Sequence, residues 1–206
     1  MENESHWYAV KVFYNRVFDL EALLEPYGIE TYVACVAVEL KGRDHSAALK
    51  KLADESDFIA HKKYVQIGPA VYKKKTIVNS LLFARVDDEH LAIIEEKLSD
   101  KDTGIRKGFI YKDSTRKKYS IIPEWQMNSF KLLTTSGDKG VIIIDQGKIP
   151  QYNTGDRVRV TDGPFKGCEG YIVRIKKDRR LMVCIEGVLA VATGYIPQKL
   201  LEKVEE

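Results

Sequence analysis

The sequence is short of most features that mark a secreted, membrane-bound or metal-dependent chain. It has only three cysteines in 206 residues, Cys35, Cys168 and Cys184, widely spaced and without a C-x-x-C pair. That usage fits reduced, small apolar side chains better than a disulfide framework or a zinc site. No run of apolar residues is long enough to span a bilayer, and the opening MENESHWYAV has neither a basic leader nor an apolar core, so a cytoplasmic protein is expected. Charge is nearly balanced: 33 Lys+Arg against 30 Asp+Glu leave +3, so any polyanion must be met by local patches. The four histidines, His6, His45, His61 and His90, sit in separate segments without ligand spacing. There is no Walker-type or G-x-G-x-x-G loop, and no Ser/His/Asp or Cys/His set at motif-like distances. An enzyme is the least supported class, and neither a cofactor nor a metal is expected. No internal repeat or low-complexity tract is evident.

What the chain does contain is regular alternation. His6–Phe13 carries apolar groups on both faces of a period-two pattern and predicts a central strand. Asn15 offers a helix cap before Val17, Leu20, Leu23 and Leu24, which predict a helix over about Arg16–Glu25. Ile29–Leu40 reads as one long strand, residues 41–63 as an insertion with a short helix around Ala47–Ala53, and Lys63–Lys75 as an extended run broken at Gly68-Pro69. The strand Thr76–Val86, a helix opened by Asp87-Asp88-Glu89, a strand in GFIYK and a helix beginning at Pro123 follow. This predicts an α+β first domain, an antiparallel sheet flanked by helices over residues 1–134. A linker over 135–153 encloses Val141-Ile142-Ile143-Ile144, too apolar for a plain tether and expected to dock on the fold, an extra strand on either domain being one way.

Residues 154–206 predict a small β-barrel. Alternating runs at Arg157–Val160 and Tyr171–Ile175 flank a Gly-rich turn, and Gly163, Gly167 and Gly170 suggest positions of positive φ or a bulge. The ordered set Gly155-Asp156-x-Val158-x-Val160, Gly163-Pro164-Phe165-x-Gly167 and Gly170 resembles the KOW motif of transcription elongation and ribosomal proteins, which implies an SH3-like barrel. Together with Trp7-Tyr8-x-Val10 and Asn79-Ser80-Leu81-Leu82-Phe83-Ala84-Arg85-Val86, it makes the whole chain resemble the NusG family, apart from the insertion. Within that family the likeness is greatest to specialised RfaH-like antiterminators, such as those of Bacteroides polysaccharide loci.

The resemblance implies a monomeric transcription elongation or antitermination factor, without membrane contact, whose N-terminal (NGN-like) domain binds the clamp helices of RNA polymerase. Its KOW domain would recruit a second partner, the ribosome or a termination factor. The implied polymerase-binding patch maps to Val78, Leu81 and Phe83, although alternate residues of any half-buried strand must also face inward. The family's Pro and Tyr in this strand are Asn79 and Leu81 here. In the barrel, Phe165 and Glu186 are the implied partner-binding residues, and Glu186 replaces an aromatic that meets the ribosomal partner in relatives. Arg16, Lys73, Lys74, Lys75, Arg106 and Lys107, with Lys62-Lys63 and Arg116-Lys117-Lys118, are candidates for the phosphates of the non-template DNA strand, or are solvated strand ends. Tyr14 and Tyr72 are candidates for stacking on an unpaired base, or for packing. The alternative from a different class is a KOW-containing RNA- or ribosome-binding adaptor that does not bind polymerase.

Overall fold

Alternation with apolar groups on both faces places the first strand at the centre of a sheet. In the computed structural model, which describes residues 4–100, 105, 107–113, 115, 117–145, 157–175 and 177–204, β1 (His6–Val12) buries Trp7, Tyr8, Ala9, Val10 and Val12. The chain folds as two units, Met1–Ile110 and Tyr111–Glu206.

In the first unit, α1 (Val17–Leu24) follows β1 and buries Val17, Phe18, Leu20 and Leu24. Asn15 is not its cap: the residue takes a positive φ of 54°, and its Oδ1 instead accepts hydrogen bonds from Thr76 Oγ1 and the Ser80 amide. The expected strand Ile29–Leu40 breaks at Val33-Ala34 into β2 (Glu30–Tyr32) and β3 (Cys35–Glu39). The insertion forms two helices, the expected α2 (Gly42–Leu52) and a further α3 (Phe58–Lys63). β4 (Tyr64–Ile67) and β5 (Ala70–Thr76) flank the turn foreseen at Gly68, where φ is +57°. β6 (Leu81–Val86), α4 (Asp88–Ser99) and β7 (Gly108–Ile110) complete the unit, with the Asp87 carboxylate capping α4 through the His90 amide.

The strands form two antiparallel sheets, β2-β6-β1-β7 and β3-β5-β4. The two long runs read as single strands, Ile29–Leu40 and Thr76–Val86, both switch sheets at the same level. Tyr32 pairs with Phe83 in one sheet while Cys35 pairs with Thr76 in the other. Ser80 at φ +61° and the Ile77 amide donating to Ala34 O hold that crossing. β6 is thereby flanked by strands on both edges, and Leu81, Leu82, Phe83 and Ala84 are all buried.

The second unit contains β8 (Ile121–Ile122), α5 (Glu124–Thr135), β9 (Ile142–Asp145), β10 (Arg157–Val160), β11 (Glu169–Ile175), β12 (Asp178–Ile185), β13 (Leu189–Ala192) and β14 (Leu201–Lys203). Six of them make an antiparallel sheet in the order β14-β10-β11-β12-β13-β9. The apolar tetrad of the linker docks as expected: β9 pairs with β13, and Ile142 and Ile144 pack on Val173, Met182, Ala190 and Ala192. Gly163 and Gly167 take φ of +86° and +87°, the left-handed region only glycine enters freely. Gly170 is required for a different reason, since a Cβ there would lie 2.4 Å from Met182 O.

The division at Ile110/Tyr111 differs from the sequence boundary at 134/135, because α5 packs across β11, β12 and β13. Ser129 Oγ accepts from the Glu169 amide at 2.9 Å, and Trp125 meets Tyr171 edge-on at 6.3 Å while the Arg157 guanidinium lies 4.9 Å from the indole. Amphipathic spacing shows that α5 has a face to bury but not which sheet covers it.

Candidate functional site

Two edge-to-edge antiparallel pairs put alternate side chains of β3, β5 and β4 on a common face. Val38 lies opposite Lys73, Val36 opposite Lys75, and Tyr64 opposite Lys73 from the other side. Beside this face runs a groove of about 630 Å³ lined by Lys51 of α2, Lys63 of α3, Lys73, Lys74 and Lys75 of β5, the apolar Phe18, Val38, Leu40 and Tyr64, and Asn15 with Thr76. No Asp or Glu is among those lining residues, so five lysines border an apolar floor. Compact, strongly hydrated lysine charges suit a polyanion whose phosphates are not read one by one in fixed geometry.

The lysines differ in how far they are committed. Lys63 pairs with the buried carboxylate of Asp19 at 2.6 Å, and Arg16 pairs with the same carboxylate. Lys74 also acts on Glu21: burial raises that carboxyl above its ordinary range, and the charges of Lys74 and Lys62 oppose the rise. Among the described residues, Lys51, Lys73 and Lys75 make no ion pair and remain available.

The sequence candidates therefore separate. Lys73, Lys74 and Lys75 line the groove, and Arg16 is one residue from the lining Asn15 but is tied to Asp19. Lys107 sits 5.3 Å above the Phe13 ring, part of a small aromatic contact with Phe109 rather than of the groove. Lys62 pairs with Glu25 at 2.9 Å. Lys117 and Lys118 fall in a turn of the second unit, and Arg106, Arg116, Gly155 and Asp156 lie outside the described residues. Sequence reasoning misses Lys51 because it is a last-turn lysine of an exposed helix, a pattern shared by most solvated helix ends.

The expected apolar docking patch is not on the surface. Leu81 is 3% exposed and Phe83 0%, in a strand that is central to its sheet and contacted by α1 and α4; Val78, in the loop before it, is half-buried. Phe165 is likewise buried, at 5% exposure, and serves the core of the second unit rather than a partner, whereas Glu186 is exposed at the β12–β13 turn. Tyr72 is half-buried. Tyr14 is 75% exposed and adopts a φ of 60°, an outlying conformation for a bulky residue, so packing does not account for it. The loop that presents it is pinned by the Asn15 amide donating to Ser80 Oγ and by Asn15 Oδ1.

The cysteines are structural in placement. Burial pushes the Cys168 thiol up to about 12 and raises Cys35 and Cys184 as well, which keeps all three in the unreactive thiol form at neutral pH. No helix among the described residues is long and apolar enough to cross a membrane. No protein-family model and no curated protein matches the chain. Among solved structures, one described as "Domain interaction in Thermotoga maritima NusG" is similar over 98% of this chain and 98% of that chain, at 15% identity and a TM-score of 0.39.

Proposed function

We propose that the chain is a transcription elongation or antitermination factor, not an enzyme. Its first unit binds RNA polymerase and lays a single strand of DNA in the lysine groove, and its second unit engages a further partner around Glu186. The observation that supports this reading is the groove: three lysines without ion-pair partners among the described residues converge from a helix and a strand over apolar side chains. The sequence resemblance supplies the partner. Of the three residues expected at the polymerase contact only half-buried Val78 is reachable, so the contact is carried by other surface of the first unit.

Two measurements test this. Core RNA polymerase should co-purify with the full chain; recovery of ribosomes or RNA without polymerase would favour the adaptor alternative. In solution, Lys51→Ala, Lys73→Ala and Lys75→Ala combined should weaken binding of single-stranded DNA by about 10-fold or more and reduce the slope of log affinity against log salt by about 2, since each phosphate contact on a single strand contributes roughly 0.7. An unchanged slope would show that these lysines are simply solvated. Tyr14→Ala should weaken binding with the slope unchanged, because a stacked base adds affinity without releasing a counterion.

A further inference from the structure

One edge of the three-stranded sheet in the first unit is open. The Leu40 amide donates to Val71 O at 2.8 Å and the Ile77 amide donates to Ala34 O at 3.0 Å, so the even-numbered residues along β3 turn their backbone groups toward β5. The same alternation turns the N–H and C=O of Cys35, Ala37 and Glu39 outward, and among the described residues β5 is the only strand paired with β3. Residues 36–39 are all exposed, Val36 at 45% and Val38 at 46%. Proteins blunt such edges with lysine, proline, a bulge or a covering element. β3 has none of these: it reads CVAVE and pairs without a break from Cys35 opposite Thr76 to Glu39 opposite Tyr72. The other edge strand, β4, is only four residues long and follows directly from α3.

We propose that this edge is a dimer interface that takes β3 of a second copy, antiparallel about a two-fold axis at Ala37, in place of the monomer that the sequence resemblance implies. The strand is complementary to itself in that register, as a closed two-fold contact requires. Val36-Ala37-Val38 reads the same in both directions, so valine meets valine on one face and alanine meets alanine on the other. Ala37 with Ala37 of the second copy, and each Cys35 with a Glu39, make three pairs that each exchange two hydrogen bonds. Glu39, the only charge on β3, therefore faces a cysteine and not its own kind. On that face each copy adds one cation and one anion from these strands, Lys74 and Glu39, so the joined face is balanced. On the valine face the order across the axis is Lys75, Val36, then Val38 and Lys73 of the second copy. Three strand spacings hold those lysines roughly 14 Å apart, beyond the screening length of about 8 Å at physiological salt. Five residues a side is far below the roughly 20–30 of a standard interface, so the dimer is weak, with a dissociation constant on the order of 10–100 µM. It joins two sheets into one, with both lysine rows on the same face.

The test is sedimentation of the full-length chain alone, from about 5 to about 500 µM, where the weight-average mass should rise from monomer toward dimer. Ala37→Pro removes the outward N–H at the axis and leaves the bonds of Val36 and Val38 to β5 in place, so it should raise the dissociation constant about 10-fold or more. Val36→Lys changes an exposed side chain without touching the backbone and should do the same. Register is read by cross-linking in chains that carry Cys35→Ser. Val36 faces Val38 of the second copy as a non-hydrogen-bonded pair, with Cα atoms about 4.5 Å apart, which a disulfide can span. A mixture of Val36→Cys and Val38→Cys chains should therefore oxidise to a covalent dimer faster than either variant alone. Salt from about 50 to about 500 mM should not dissociate the dimer, because no ion pair holds it. A monomer at every concentration, a dimer indifferent to both Ala37→Pro and Val36→Lys, equal cross-linking in the mixture and the single variants, or dissociation by salt would each overturn the proposal. Neither polymerase nor DNA enters these measurements, so this dimer and the transcription reading fail separately.

Discussion

Phe83→Ala should destabilise the first unit by about 3–5 kcal/mol, the usual cost of emptying a fully buried aromatic site. Phe83 has no exposed surface and is paired across the sheet with Ala9 on one side and Tyr32 on the other, so there is no free face into which the structure can relax. In a unit of this size the midpoint of thermal unfolding should fall by more than about 10 °C. Leu81→Asp should also destabilise the unit, by burying a carboxylate, although Lys11 is its direct cross-strand neighbour and offsets part of that cost. Surface changes such as Lys73→Ala should stay within about 0.5 kcal/mol of the parent. The decisive comparison sets unfolding against polymerase recovery. A Phe83→Ala protein that melts like the parent but no longer recovers polymerase would restore the docking-patch reading that its burial argues against.

The second large effect concerns where the C-terminal unit begins. A piece spanning 154–206 carries the whole KOW-like motif and should be β-rich by circular dichroism, since its strands are dense in β-branched residues. It lacks β9 and α5, however, and so leaves Val173, Met182, Ala190 and Ala192 without the cover of Ile142 and Ile144. A piece spanning 111–206 retains both elements, together with the hydrogen bond from the Glu169 amide to Ser129 and the Trp125 contact with Tyr171. The longer piece should be the more stable by about 3 kcal/mol or more, since burying a single large aliphatic side chain contributes about 1.5–3 kcal/mol. The shorter should self-associate through its uncovered apolar face. Equal urea midpoints and equal monomer content would mean that β9 and α5 rest on the sheet without stabilising it. A helical spectrum for 154–206 would be incompatible with the β11–β13 ladder.

Much of the fold is legible in local pattern. The central position of His6–Val12, the helices at Val17–Leu24 and Asp88–Ser99, the turn at Gly68 and the glycines of the Gly-rich turn all follow from alternation, helical spacing and the φ that glycine alone tolerates. The misreadings share a cause. Ile29–Leu40 and Thr76–Val86 are continuous as patterns, yet each contributes to two sheets, and nothing local marks the crossing except Ser80 at positive φ. The candidate site is half visible: three consecutive lysines on β5 stand out in the sequence, but Lys51 and Lys63 join them only because α2 packs against β5 and α3 against the neighbouring strand β4.

By itself, then, the sequence determined which residues alternate, where the chain turns, and which motifs resemble a known family, because these depend on neighbours a few positions apart. Tertiary structure alone decided that Leu81, Phe83 and Phe165 are core and not contact surface, that α5 packs with the second unit, and that separate lysines share one groove. Period-two spacing fixes which side chains share a face, but whether that face meets water depends on strands and helices contributed from distant parts of the chain.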